Sequence, residues 1–157
     1  MAREGRILEN LISNKLLKIN KNEKGFFIKS PTPMKMININ GKVVPIYANK
    51  ALCDFVGIYN KKFILIESKN ISGVRFEFKR LKDHQEKQLA SIMRHGGISL
   101  IIFYLTLTHE IIILKIDKYL VFKSQTQKKS INIDALKEIG MCVSADEIEK
   151  YLNILSS

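Results

Sequence analysis

The chain has 157 residues, 46% hydrophobic and 26% charged, and 26 Lys and Arg against 15 Asp and Glu leave a net charge of +11. This is enough chain for one domain with a real core, and the balance excludes global disorder; two distant cysteines, Cys53 and Cys142, exclude a disulfide scaffold or a zinc spacing. The basic excess is mostly lysine spread along the chain, which favours polyanions, nucleic acid before an acidic membrane surface, although a lysine-rich composition alone produces the same excess.

Residues 2–20 place Leu8, Leu11, Ile12, Leu16 and Ile19 at helical spacing. No basic region followed by an apolar core stands at the start, so no signal peptide is expected. The most apolar run, residues 98–107, is too short to span a bilayer, and the expectation is a soluble cytoplasmic protein with reduced thiols. Residues 26–30 read as a short strand. Pro31 and Pro33 then open an extended excursion to residue 50, with two strand-like pieces around Asn40-Gly41, a strong hairpin dipeptide. This excursion is polar and lysine-containing, and reads as a projecting arm. Two strands follow at 52–59 and 62–69, and a helix at 80–95 ends at Gly96-Gly97. Residues 98–106 and 110–116 form a strand pair rich in β-branched residues, 123–130 a polar loop, and 134–139 and 145–155 two short helices. The order predicts a single α/β domain over 1–157, a mixed sheet flanked by helices.

The chemistry concentrates between Cys53 and Lys69. A symmetric turn between Asn60 and Lys61 sets Ile58 opposite Phe63, Val56 opposite Leu65 and Asp54 opposite Glu67, all on one face. Lys69 joins that face two residues on. Facing carboxylates repel, and a cation between them relieves the repulsion; their hard oxygens suit Mg2+, with Mn2+ as a substitute. Ser68 points the other way, but its backbone carbonyl offers another oxygen. A solvated hairpin tip gives the same pattern, yet Phe63-Ile64-Leu65-Ile66 is apolar on both faces, as in a buried strand. Gln85 lies between Leu81 and Leu89 on an apolar stripe and so needs a partner near the sheet.

The pattern Asp54…Glu67-Ser68-Lys69 resembles the PD-(D/E)xK nuclease motif, without its usual proline. The ordered set of Gly5-Arg6-Ile7-Leu8-Glu9, Lys29-Ser30-Pro31-Thr32-Pro33, His84-Gln85 and Gly96-Gly97-Ile98 is similar to RecU-type Holliday junction resolvases. The resemblance implies a restriction-endonuclease-like fold with a stalk, and a homodimer that clamps a four-way DNA junction and makes two symmetric incisions. It also implies Mg2+ held by Asp54 and Glu67, Lys69 acting on the attacking water or the developing phosphate charge, and Glu9 and Gln85 beside the metal. Glu9 shares a stripe with Ile12, Leu16 and Ile19; an exposed first-turn glutamate is the equal alternative. Ser30 and the arm lysines Lys35, Lys42 and Lys50 are the candidate DNA contacts. The rival readings are another nuclease of that superfamily, nicking or restriction-type, and a non-catalytic structure-selective DNA-binding protein.

Overall fold

The computed structural model describes residues 2–31, 33–47 and 52–157. From the N-terminus come α1 (Ala2–Lys21), β1 (Gly25–Lys29) and a hairpin of β2 (Met34–Ile39) and β3 (Lys42–Tyr47). A second hairpin, β4 (Phe55–Tyr59) and β5 (Lys62–Ile71), leads through β6 (Arg75–Glu77) and one 3-10 turn to α2 (Asp83–Arg94). Next stand β7 (Ile98–Leu105), β8 (Glu110–Lys115) and α3 (Ile116–Gln125), then β9 (Ser130–Asn132), α4 (Ile133–Ile139), β10 (Met141–Val143) and α5 (Ile148–Ser156).

Six strands form one mixed sheet in the order β1-β4-β5-β7-β8-β10. The β5–β7 pair is parallel and the other pairs are antiparallel. A parallel pair needs a crossover, which the segment containing α2 supplies. The central strands are apolar at nearly every position because both faces are covered. Ile64 and Ile66, Leu100 and Ile102, and Ile111 and Ile113 face one way, against Leu8, Ile12, Leu16 and Ile19 of α1 and Ile148 and Leu152 of α5. Their neighbours Leu65, Ile101, Phe103, Ile112 and Leu114 face α2, α3 and α4 through Leu89, Tyr119 and Leu136.

The β4–β5 register is the one the alternation predicts: Ile58 pairs with Phe63 and Val56 with Leu65. Asn60 and Lys61 both adopt positive φ, 49° and 62°, as a two-residue hairpin turn of this twist demands. Lysine is a poor residue for that conformation. The turn is pinned from outside, since Asn60 donates to Asn153 and Ser156 of α5.

Several boundaries move. Asp54 sits in a bend, and the strand expected from residue 52 begins at Phe55. The helix expected over 80–95 begins at Asp83, after a 3-10 turn over Phe78–Arg80. Residues 116–125, of which the sequence places 116 at a strand end and 123–125 in a loop and assigns the rest to no element, form α3, with Ile116 and Tyr119 buried one turn apart. The short strands β6, β9 and β10 have no pattern of their own in the sequence; three residues each, they are defined by pairing with distant segments. The arm is a hairpin turning at Asn40-Gly41, with φ of 52° and 80°, and forms its own two-stranded sheet. It is less polar than expected: Met34, Met36, Ile39 and Val43 are exposed.

Candidate metal centre

β5 lies third in the sheet, and its residues alternate between the two cores until Glu67 occupies a position where an apolar side chain is expected. Glu67 is 2% exposed, the one charged residue in the buried class among the described residues. Its Oε1 is held twice, by Lys69 Nζ at 2.7 Å and by Gln85 Nε2 at 2.8 Å. Lys69 also donates to Gln85 Oε1 at 3.3 Å, and the Lys82 amide donates to that oxygen at 3.1 Å. Gln85 therefore caps the first turn of α2 and locks the lysine to the glutamate in one closed ring of contacts.

The other glutamate oxygen, Oε2, is buried without a hydrogen-bond partner among the described residues. Burial, then the charge of Asp54, push the Glu67 carboxyl above the ordinary glutamate range, and Lys69 opposes them. An ionised carboxylate left half-satisfied in a low-dielectric site is costly, and a cation at Oε2 removes that cost.

Asp54 approaches the same place from the start of β4. Its Oδ2 accepts the Ser68 amide at 2.8 Å and also the Ser68 hydroxyl. Ser68, expected to offer only a carbonyl, thus uses its amide and side chain to hold the aspartate. The Asp54 carbonyl in turn accepts the Ser30 amide at 2.8 Å. Oδ1 makes no hydrogen bond among the described residues. One oxygen of each acid is thus fixed by the fold and one is left over.

Not every predicted residue joins this cluster. Glu9 lies in α1, on the opposite face of the sheet from Gln85, and its carboxylate is held at 2.6 Å by Lys29 at the end of β1. The helix starts at Ala2, so Glu9 is not a first-turn residue. Lys29 leads directly to Ser30 and so to Asp54, which leaves Glu9 at the margin of the site. Ser30 has a buried hydroxyl without a partner among the described residues. Lys35 and Lys42 are exposed on the arm, and Lys50 lies outside the described residues. Cys53, expected to be no more than a reduced thiol, forms part of the wall: fully buried, its thiol is pushed well up by burial and then by Glu67 and Asp54. Its place immediately before Asp54 is the available signal.

Among the described residues no group of three or more His, Cys, Asp or Glu side chains is arranged for a metal. Mg2+ keeps several waters and needs only one or two carboxylates. Asp54 Oδ1, Glu67 Oε2 and the Ser68 carbonyl could hold it, and the orphaned Oε2 fits such an ion.

The model of the family described as Recombination protein U matches residues 3–157. The Holliday junction resolvase RecU of Mycoplasmopsis pulmonis is 30% identical over 138 residues, covering 85% of this chain and 80% of that protein. The proteins of that name from Geobacillus sp. and Staphylococcus aureus are 27% and 25% identical, and in each case 71% of this chain is covered. The matches span 61% and 59% of those two longer relatives. Among solved structures, Archaeoglobus fulgidus Hjc, described as a Holliday junction resolvase from an archaeal hyperthermophile, superposes with a TM-score of 0.53 at 13% identity. That superposition covers 88% of this chain and 90% of Hjc, and at this identity the likeness is one of fold.

Proposed function

Because this chain belongs to the Recombination protein U family, we propose that it is a structure-selective endonuclease resolving four-way DNA junctions by paired, Mg2+-dependent hydrolysis. The carrying observation is the buried Glu67, with an unpartnered Oε2, beside Asp54 and Lys69. The names of the curated relatives, Holliday junction resolvase RecU, support the substrate.

When bound, Mg2+ supplies charge for the phosphate and lowers the pKa of water. Asp54, Glu67 and the Ser68 carbonyl would hold it. Lys69, anchored on Glu67, presents its ammonium where the attacking water or the developing negative charge needs a donor. Gln85 keeps Lys69 and Glu67 in register and is a positioning residue. Glu9 would join the loaded site only by leaving Lys29, which leads through Ser30 to Asp54. Ser30, Lys35 and Lys42, with Lys50, make the DNA contacts of the arm and its base.

A homodimer is supported by an uncovered part of the sheet. Phe26, Ile58 and Phe63 are cross-strand neighbours in one row, 66%, 53% and 40% exposed, and Ile28 adjoins them at 49%. Exposed apolar patches of this kind mark interaction surfaces, and two symmetric incisions need two active sites. The buried Cys53 and exposed Cys142 are both free, which suits a reducing cytoplasm, and no described helix is long and apolar enough to cross a membrane.

Labelled four-way junction and matched linear duplex, each with Mg2+ and with chelator, test this reading. Paired incisions in the junction alone, only with metal, are expected. Junction binding without cleavage would sink it in favour of a non-catalytic binder, and equal cleavage of duplex would point to another nuclease of the fold.

A further inference from the structure

We propose that the basic hollow beside the first turn of α2 is a second phosphate-backbone site, which holds the duplex arm next to the cleaved strand. The proposal rests on the nuclease reading above. The hollow has a volume of about 590 Å3 and is ringed by Arg75, Lys79, Lys123, Lys128 and Lys129 over Phe78. It is built on a fixed frame. β6 pairs with β9, and the buried Phe76 and Ile131 anchor that ribbon to the core, so Arg75 and Glu77 point outward. The Phe78 amide donates to the Lys129 carbonyl at 3.0 Å, fixing the chain where the two lysines enter β9.

What sets the cations of the hollow apart is that they converge on one concavity; Lys18, Lys21 and Lys62 also make no ion pair among the described residues but do not line it. Lys15 and Lys24 on the α1 side are paired with Asp146 and Glu149 of the C-terminal segment. In the hollow Lys79 is paired with Glu77, and Lys123 with Glu86. Arg75, Lys128 and Lys129 make no ion pair among the described residues. Against these three cations the lining sets one unpaired acid, Asp83, so the concavity stays net positive and attracts a polyanion.

Position identifies the polyanion. Leu81 and Asp83 line the hollow, and Gln85, two residues on, contacts Glu67 and Lys69. Asp83 and Gln85 are two residues apart in the first turn of α2, ~3 Å of rise, so the hollow adjoins the metal centre on a scale of the ~3.4 Å that separates successive nucleotides of a strand. A strand whose scissile phosphate reaches Asp54 and Glu67 runs its neighbouring phosphates past these cations.

The test compares the Arg75→Ala/Lys128→Ala/Lys129→Ala protein with a control removing equal charge elsewhere, Lys18→Ala/Lys21→Ala/Lys62→Ala. Binding of four-way junction and of linear duplex is measured over a salt series. Every phosphate that is no longer neutralised takes ~0.9 off the slope of log K against log salt, so the hollow variant should fall short by about 2 to 3 units and bind at least about tenfold more weakly at physiological salt. The control should keep its slope, and the weakening should be equal on junction and duplex, because the hollow holds an arm and not the branch. Melting temperature checks folding, and Lys128→Ala/Lys129→Ala, confined to the chain entering β9, is the second variant should the triple one fail to fold. Slopes equal to the control, or a weakening confined to the junction, would overturn the proposal. A wild-type protein that cuts no DNA with Mg2+ defeats the nuclease reading instead, and the salt slopes then still decide whether the hollow binds phosphate.

Discussion

On the proposed reading Glu67 is the central side chain, because one of its oxygens is held by Lys69 and Gln85 and the other is buried without a hydrogen-bond partner among the described residues. Asp54→Asn and Glu67→Gln should each nearly abolish cleavage. Lys69→Ala should lower the rate by about 100- to 1000-fold, the range for removing one donor to a developing charge. Junction affinity should survive in all three, since it comes from many phosphate contacts. Single-turnover cleavage and binding, measured on the same preparations, check this; a Glu67→Gln protein cutting at the wild-type rate defeats the assignment. A pH effect follows from the same residue. Its carboxyl titrates above the usual value of 4.5, so the folded, metal-free protein binds that proton more tightly than the unfolded chain does. Stability should therefore fall as pH climbs from that value through the raised pKa, then level off. Glu67→Gln should flatten this part of the profile, which denaturant midpoints in chelator from about pH 4 to 8 read directly. The same fall in the variant would mean that another group carries it.

Among the elements, the β2–β3 arm is the one that contributes nothing to the interior: no described residue of 31–50 belongs to either core cluster. Its pairing is complete within itself, from Ile39–Lys42 at the turn to Met34–Tyr47 at the base. Met34, Met36 and Val43 are exposed on one of its faces and Ile39 lies with Lys35 and Lys42 on the other, apolar contact with cations alongside, which suits insertion among unstacked bases better than a passive surface loop. Replacing residues 34–47 with a Gly-Ser link should leave melting and metal response unchanged. The ratio of junction to duplex affinity should fall, while salt-sensitive duplex binding persists through the remaining cations. An unchanged ratio at one fixed salt concentration would remove the arm from recognition and leave it a tolerated insertion.

For the whole molecule the decisive surface is the uncovered row of Phe26, Ile58 and Phe63. α2 packs over β5 and β7, leaving the β1–β4 edge bare on that face. A second copy buried there would link two metal centres through two rigid sheets, so that their spacing does not depend on loops. Phe26→Asp puts a charge in the middle of the row while leaving the first protomer's core untouched, because Phe26 faces outward. It should shift the protein to monomer in sedimentation and convert paired incision into slow single nicks. A dimer of wild-type stability in that variant would place the interface elsewhere.

What the sequence determined by itself is the local pattern. Period-two alternation across 56–65 specified the β4–β5 register, and with it the common face of Glu67 and Lys69. Spacing of four along α2 put Gln85 on the face that meets them. The helical stripe of Leu8, Ile12, Leu16 and Ile19 is buried, as its spacing predicts. These follow from backbone geometry, which fixes the side a residue faces whatever lies there. Tertiary structure alone decided what each side meets. Ile58 and Phe63 continue the same alternation as Leu65, yet they stay exposed, with Phe63 only at the rim of a hollow that Gln88, Ser91 and Ile92 of α2 bound. Asp54 is turned onto Ser68 because the chain bends before β4, and Glu9 is drawn to Lys29 because β1 ends beside α1. α3 formed over residues the sequence left mostly unassigned between a strand end and a loop, because burial of Ile116 and Tyr119 against the sheet outweighs their β-branched and aromatic preferences. The unpartnered oxygen of Glu67 belongs to the same class: it exists only because distant segments close over one carboxylate and satisfy half of it.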